Sequence, residues 1–209
     1  MHTESHVIKA KVVFFFASLL LASFAHGQYN WKLSKQKDGI AVYESPVPNS
    51  NYKGIKVECT LAGTYDKLID VLSDVSRQKD WVYNNKTAYI LKKISANEFY
   101  YYSETSIPWP MSNRDAVVHF KINRDSLNRF VKITATGEPN FIPEKSGKVR
   151  VPKSLINWYV TMPSSNAISI VYTFEAEPGG SLPAWLVNMF ADKGPYESFK
   201  KLSEILKQT

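Results

Sequence analysis

Apolar and polar residues alternate with a period of two through most of the chain, and that period marks strands. Runs of this kind lie at 40–47, 52–61, 87–94, 98–107, 114–123, 130–137, 148–151, 156–162 and 167–177. Turn-forming residues separate them: Asp38-Gly39, Pro46 to Asn51, Ala96-Asn97, Pro108 to Asn113, Asn123 to Asn128, Pro139 to Gly147, and Pro163 to Asn166. Within 114–123, Ala116, Val118, Phe120 and Ile122 share one face, and Asp115, Val117, His119 and Lys121 share the other. The short link between 40–47 and 52–61 predicts a hairpin. Residues 28–37, with Tyr29, Trp31 and Leu33, read as a short N-terminal segment compatible with helix.

A helical period takes over in two places. Thr64 is a candidate N-cap ahead of Tyr65, Leu68, Ile69 and Leu72. Near the C-terminus, Leu182, Trp185, Leu186, Met189 and Phe190, then Phe199, Leu202, Ile205 and Leu206, recur at helical spacing. This predicts an amphipathic helix of about 25 positions. Pro178-Gly179-Gly180-Ser181 forms a turn ahead of it, with Ser181 as its expected N-cap. Gly194-Pro195 is expected to kink or split it, and Gly194→Ala to slow any motion hinged there. Two strands, helices, more strands and a long final helix make an α+β fold with a mostly antiparallel sheet. The wide apolar stripe needs a large apolar partner, and a curved sheet gripping the helix supplies one. The stripe serves either as plain core or as the lid of a cavity.

Residues 1–27 read as a cleaved signal peptide. Lys9 and Lys11 precede the apolar run 12–22, and Ala25-His26-Gly27 fits the cleavage site, leaving Gln28 first. A retained anchor is the alternative. The remaining 28–209 suits a single domain. Lys and Arg number 26 against 19 Asp and Glu, a net charge of +7. The leader holds Lys9, Lys11 and Glu4, so its removal lowers that charge by one. The balance fits transient contact with anionic membrane surfaces. With no basic block and no binding motif, nucleic acid is excluded as a partner. Cys59, the one cysteine, can form neither an internal disulfide nor a zinc site, and reads as a buried small hydrophobe.

Chemistry is sparse. Beyond the leader the only His is His119. No nucleophile elbow, phosphate loop or metal cluster appears, so neither cofactor nor metal is expected. The most distinctive internal run is Ile107-Pro108-Trp109-Pro110-Met111-Ser112-Asn113-Arg114-Asp115. Its prolines predict an extended connection. Arg114 either ties backbone groups together or faces a ligand. Tyr100 and Tyr102 share a strand face and offer apolar bodies with polar tips.

Taken together, these segments resemble the START family of lipid-transfer domains, which have a helix-grip fold. The resemblance is carried by Asp38-Gly39-Ile40-x-Val42-Tyr43, Arg77-x-x-Asp80-Trp81 and Pro108-x-Pro110-Met111-Ser112-Asn113-Arg114-Asp115. It continues through Gly147-x-Val149-Arg150, Trp158 and the run from Pro178 to Asn188. It implies a curved antiparallel sheet wrapped around a long C-terminal helix, enclosing a hydrophobic tunnel for one apolar molecule, with no cofactor and no covalent step. It also implies that an Arg at position 77 meets a phosphate in phospholipid-binding members, although Asp80-Trp81 reverses the common order. The choline-caging positions of phosphatidylcholine-binding members fall on Ser103 and Ala116. Neither offers an aromatic face to a quaternary ammonium. Phe120 stands where a basic residue points inward in steroid-transfer members.

The expected function is an exported, periplasmic or secreted, monomeric bacterial protein that carries a lipid or other hydrophobic small molecule. Its candidate lining comprises Arg77, Trp81, Tyr100, Tyr102, Arg114, Val118, Phe120, Ile122, Trp158, Tyr172, Trp185, Met189 and Phe190. Two alternatives are a cyclase or aromatase of the related helix-grip folds, using Glu104 and Arg114, and a sensor whose lid reports occupancy to a partner.

Overall fold

A computed structural model of the protein describes residues 29–208 apart from 126, 128 and 190, with backbone alone at Met189. The expected leader, Gln28 and Phe190 lie outside the described residues, as does the Met189 side chain. The chain begins with strands β1 (Lys32–Lys37), β2 (Ile40–Pro46) and β3 (Lys53–Ala62). Helix α1 (Tyr65–Ser73), a single 3₁₀ turn (Val75–Arg77) and the short α2 (Gln78–Trp81) follow. Seven strands come next: β4 (Asn85–Ser95), β5 (Glu98–Thr105), β6 (Asn113–Arg124), β7 (Phe130–Gly137), β8 (Lys148–Arg150), β9 (Lys153–Ser164) and β10 (Ala167–Glu177). Two helices, α3 (Ala184–Met189) and α4 (Lys193–Lys207), end the chain.

The strands form one curved ten-stranded sheet in the order β1-β2-β3-β10-β9-β7-β6-β5-β4. All pairs along this path are antiparallel, and β8 joins β6 in parallel. The N-terminal segment is a strand rather than a helix. Asp38 and Gly39 both take positive φ, 54° and 75°, as a two-residue hairpin turn requires. That turn sets Lys37 opposite Ile40 and commits the preceding residues to pairing.

Strand parity decides which face becomes core. Val42, Val57, Cys59, Ile133, Val160 and Ile170 all turn to the concave side and are buried. Helix α4 fills that side with Tyr196, Phe199, Leu202 and Leu206, one stripe of its surface. Burying each such side chain contributes about 1.5–3 kcal/mol. Thr64 caps α1 as expected, its side chain accepting from the Lys67 N–H at 3.3 Å.

Two expectations about the C-terminus are corrected. The helix is broken, but between Met189 and Lys193 rather than at Gly194-Pro195. Those two residues sit in the first turn of α4, where a proline's missing N–H costs nothing. Ser181 is exposed ahead of α3 and does not cap it. The first bonds of α3 run to the Pro183 carbonyl, from Leu186 N–H at 3.0 Å and Val187 N–H at 3.3 Å. The Pro108 segment is a turn rather than extended, since Met111 N–H donates to the Pro108 carbonyl at 3.1 Å.

Candidate functional site

The concave face is not uniformly closed. Along β10, Ile168 and Ile170 are 0 % and 1 % exposed, whereas Tyr172, Phe174 and Ala176, on the same face, are only half-buried. The trend repeats on β9, from buried Val160 and Trp158 to half-buried Ile156. On β6 it runs from Ile122 to Ala116. The partly open end of the concave face is therefore the end nearest the turn into α3. Apolar side chains that point inward yet remain half-buried are the feature around which a ligand site can be built.

Helix α3 is tethered over this end by polar contacts. The Tyr52 hydroxyl donates to the Leu182 carbonyl at 3.0 Å. The Asn188 side chain accepts from the Lys53 N–H and donates to the Asn51 carbonyl, both at 3.2 Å. The turn before α3 is held by Arg114, whose guanidinium donates to the carbonyls of Ser112 (2.6 Å), Pro178 (3.2 Å) and Gly179 (3.1 Å). Gly179 has φ +68°, and a Cβ there would lie 2.9 Å from the Arg150 carbonyl oxygen. The position therefore excludes a side chain on both counts.

The expected lining separates into two groups. Val118, Phe120, Ile122, Trp158, Tyr172 and Trp81 belong to or pack on the concave core. Trp158 stacks on Phe199 of α4 with centroids 5.2 Å apart, and Tyr172 meets both rings edge-on. Tyr100 and Tyr102 take the convex face instead. Tyr100 stacks between His119 (4.4 Å) and Phe141 (4.2 Å). Tyr102 lies against Tyr89, beneath the Lys145 ammonium. The tyrosine between them, Tyr101, points inward, because the antiparallel register sets it opposite Val118. Arg77 is exposed and pairs with Asp80 at 3.0 Å. It rims a surface cleft of about 190 Å³ shared with Asp70, Asp74 and Trp81. Trp185 is 68 % exposed on the outside of α3.

Several inward-facing residues went unnoticed in the sequence. Gln78 is buried, and its side chain meets the Tyr101 hydroxyl. Asn85 donates to Ser103 at 2.8 Å, and Ser103 sits opposite Ala116 in the β5–β6 register. Burial pushes the Tyr101 phenol up to about 12, with the Gln78 contact working against the rise. Burial also raises Tyr172, with the neighbouring Tyr101 adding to it. Both phenols are therefore neutral at physiological pH. The signal that would have found Tyr101 is the β5–β6 register, which sequence parity on one strand cannot supply.

On the convex side lies a second polar group. Arg150 holds Asp115 with two bonds, at 2.9 and 3.0 Å, and also bonds the carbonyls of Pro139, Ile142 and Pro143. Glu104 accepts from Asn113 at 2.7 Å and pairs with Lys86 and Lys148, each at 3.3 Å. These groups hold the segment after β7 against the sheet. Glu104 and Arg114, the pair expected for an enzymatic reading, are on opposite faces and engaged with protein groups.

The comparisons with known proteins agree with this architecture. Residues 17–209 match the START domain family. An uncharacterised protein of Pseudomonas aeruginosa is 31% identical over 173 residues, covering 83% of this chain and 85% of its own. The phosphatidylcholine transfer protein of Bos taurus is 30% identical, covering 78% of each chain. A crystal structure of a STAR-related lipid transfer protein from Xanthomonas axonopodis superposes with a TM-score of 0.78. It is 31% identical and covers 85% of this chain and 99% of that one. With its antiparallel sheet closed around a C-terminal helix and this match across nearly its whole length, the chain belongs to the START domain family.

Proposed function

We propose that this protein binds one lipid or similar apolar molecule between the open end of the concave face and α3, and exchanges it with membranes. The observation that carries the reading is the band of inward-facing, half-buried apolar side chains: Tyr172, Phe174, Ile156 and Ala116. Apolar surface of that kind is stabilised by about 25 cal/mol for each Å² removed from water, and a lipid chain supplies the cover. The names of two of these relatives point the same way, since they state phosphatidylcholine transfer and lipid transfer. The reading involves no covalent step.

Membrane contact falls to a surface at the same end of the molecule. Trp109, on the β5–β6 loop, is 91 % exposed, and Trp185 on α3 is 68 % exposed. Arg114 ties their two segments together through Ser112, Pro178 and Gly179. Indole rings favour the membrane–water boundary. The leader at 1–27 supports export. No helix among the described residues is long and apolar enough to cross a membrane.

The test is native mass spectrometry of the full-length gene product, expressed with its leader and purified without detergent, followed by organic extraction. A one-to-one adduct that extracts as a lipid supports carriage. A polypeptide mass beginning at Gln28 supports export. A protein that stays empty after incubation with mixed lipid vesicles overturns the carrier reading.

A further inference from the structure

The concave face carries several hydrogen-bonding groups that are uncharged. Gln78 meets the neutral Tyr101 phenol, and Tyr172 lies near it. Ser103 follows Tyr101 on the same strand face and bonds Asn85. Trp81 sits one turn beyond Gln78 on α2. Two atoms of this patch have no partner among the described residues although they are buried: Trp81 Nε1 and Asn85 Oδ1. A buried polar atom without a partner costs about 1–3 kcal/mol. Two of them beside the inward face of the sheet therefore point to a group that arrives from outside the protein.

The charge around the patch is as informative. Between Arg114 and Ile122, the inward positions of β6 carry no charge. The concave positions of β5, β7, β9 and β10 carry none either. The cations nearest the open end are already engaged: Arg114 by three carbonyls, Lys53 by Glu44. Arg77, which a phosphate would need, points to solvent beside Asp80. Ser103 and Ala116 face each other without an aromatic surface for a quaternary ammonium. An ionised headgroup seated among these groups would lose its water and meet only cations already bonded to protein groups, which is costly.

The geometry points to a neutral ligand: an apolar molecule whose polar part is a single hydroxyl, carbonyl or amide, seated against Gln78, Asn85, Ser103, Tyr101 and Tyr172. This rests on the carrier reading above and narrows it, setting the protein apart from a phosphatidylcholine carrier. A hydroxyl can donate to the unpartnered Asn85 oxygen and accept from an indole or phenol. A hydrocarbon of the same shape can do neither.

Competition from one membrane tests it. The full-length protein is incubated with phosphatidylcholine vesicles containing equal amounts of octadecanol and octadecane, re-isolated, extracted and analysed by mass spectrometry. Octadecanol is expected in roughly tenfold excess over octadecane, the value of one or two neutral hydrogen bonds. It is also expected to exceed phosphatidylcholine, although the latter is the bulk of the vesicle. Tyr172→Phe should lower the alcohol-to-alkane ratio severalfold. Equal uptake of alcohol and alkane, or phosphatidylcholine as the main ligand, overturns the proposal and leaves the carrier reading standing. Uptake of none of the three removes both. The wild-type competition decides the matter even if the Tyr172 variant fails to fold.

Discussion

Arg150 and Asp115 are 2 % and 1 % exposed at their side chains, and both guanidinium prongs are used. Removing one partner of such a pair leaves a buried charge with nothing to answer it, at a cost of about 3–5 kcal/mol. Arg150→Met is therefore expected to lower unfolding stability by that amount in urea titrations, with lipid uptake retained in whatever fraction stays folded. Glu104 gives a pH signature. Burial pushes its carboxyl up, but the bonds from Asn113, Lys148 and Lys86 outweigh this, and the net shift is downward from 4.5. A lowered carboxylate stabilises the fold above its unfolded value and stops doing so as pH falls through the folded value. Stability should thus decline with acid from about pH 5 downward. Glu104→Gln should be less stable at neutral pH but flatter across the acid limb, as thermal melts at stepped pH would reveal. At this scale the sequence was legible only where one strand's own pattern sufficed. Val118, Phe120 and Ile122 announced their face by contrast with Asp115 and Lys121. Tyr100, Tyr101 and Tyr102 offered no contrast, and a register set across β5 and β6 chose Tyr101.

Elements were more readable than residues, because an element's identity is repeated over many positions. The strand periods and the α4 stripe appear in the structure within three residues. The position of the helix break did not follow from composition. Gly194 and Pro195 are both helix breakers in an interior, but the chain had already stopped its helix at Met189 and restarted it at Lys193. Near a helix start the same two residues are harmless. An added Cβ at Gly194 would meet only the Tyr83 ring, at 3.4 Å from Cδ1, an ordinary contact. Gly194→Ala is thus expected to raise stability, by up to about 1 kcal/mol, and to leave lipid exchange between vesicles within twofold of wild type. Slowed exchange would place the flexing point at Gly194 after all. The N-terminal segment misled for the opposite reason: its own residues favour no element, and the Asp38-Gly39 turn imposed one.

At the level of the whole molecule, the sheet must end somewhere, and its edges are β1 and β4. Lys32, Lys35 and Lys37 line β1, and Lys86, Lys92 and Lys93 line β4, which opposes pairing with a second sheet. Sedimentation is accordingly expected to return a monomer. On the carrier reading α3 is the door to the concave face, because its hold on the sheet is modest: Tyr52 on Leu182, and Asn188 on Asn51 and Lys53. Such neutral hydrogen bonds are worth about 1 kcal/mol each, so lifting α3 away costs far less than unfolding the domain. A covalent tie at this point should therefore stop exchange without touching the lining. The Asn188 side chain spans to the backbone at Asn51, which makes Asn51→Cys with Asn188→Cys the pair to cross-link. Cys59 does not interfere, since it is buried and burial pushes its thiol up to about 12. The oxidised double variant should keep any lipid loaded beforehand and exchange it at least tenfold more slowly than the reduced form. Adding reductant should restore the wild-type rate. Equal rates in both redox states would show that the ligand leaves by another route, and α3 would then be a wall of the site rather than its door.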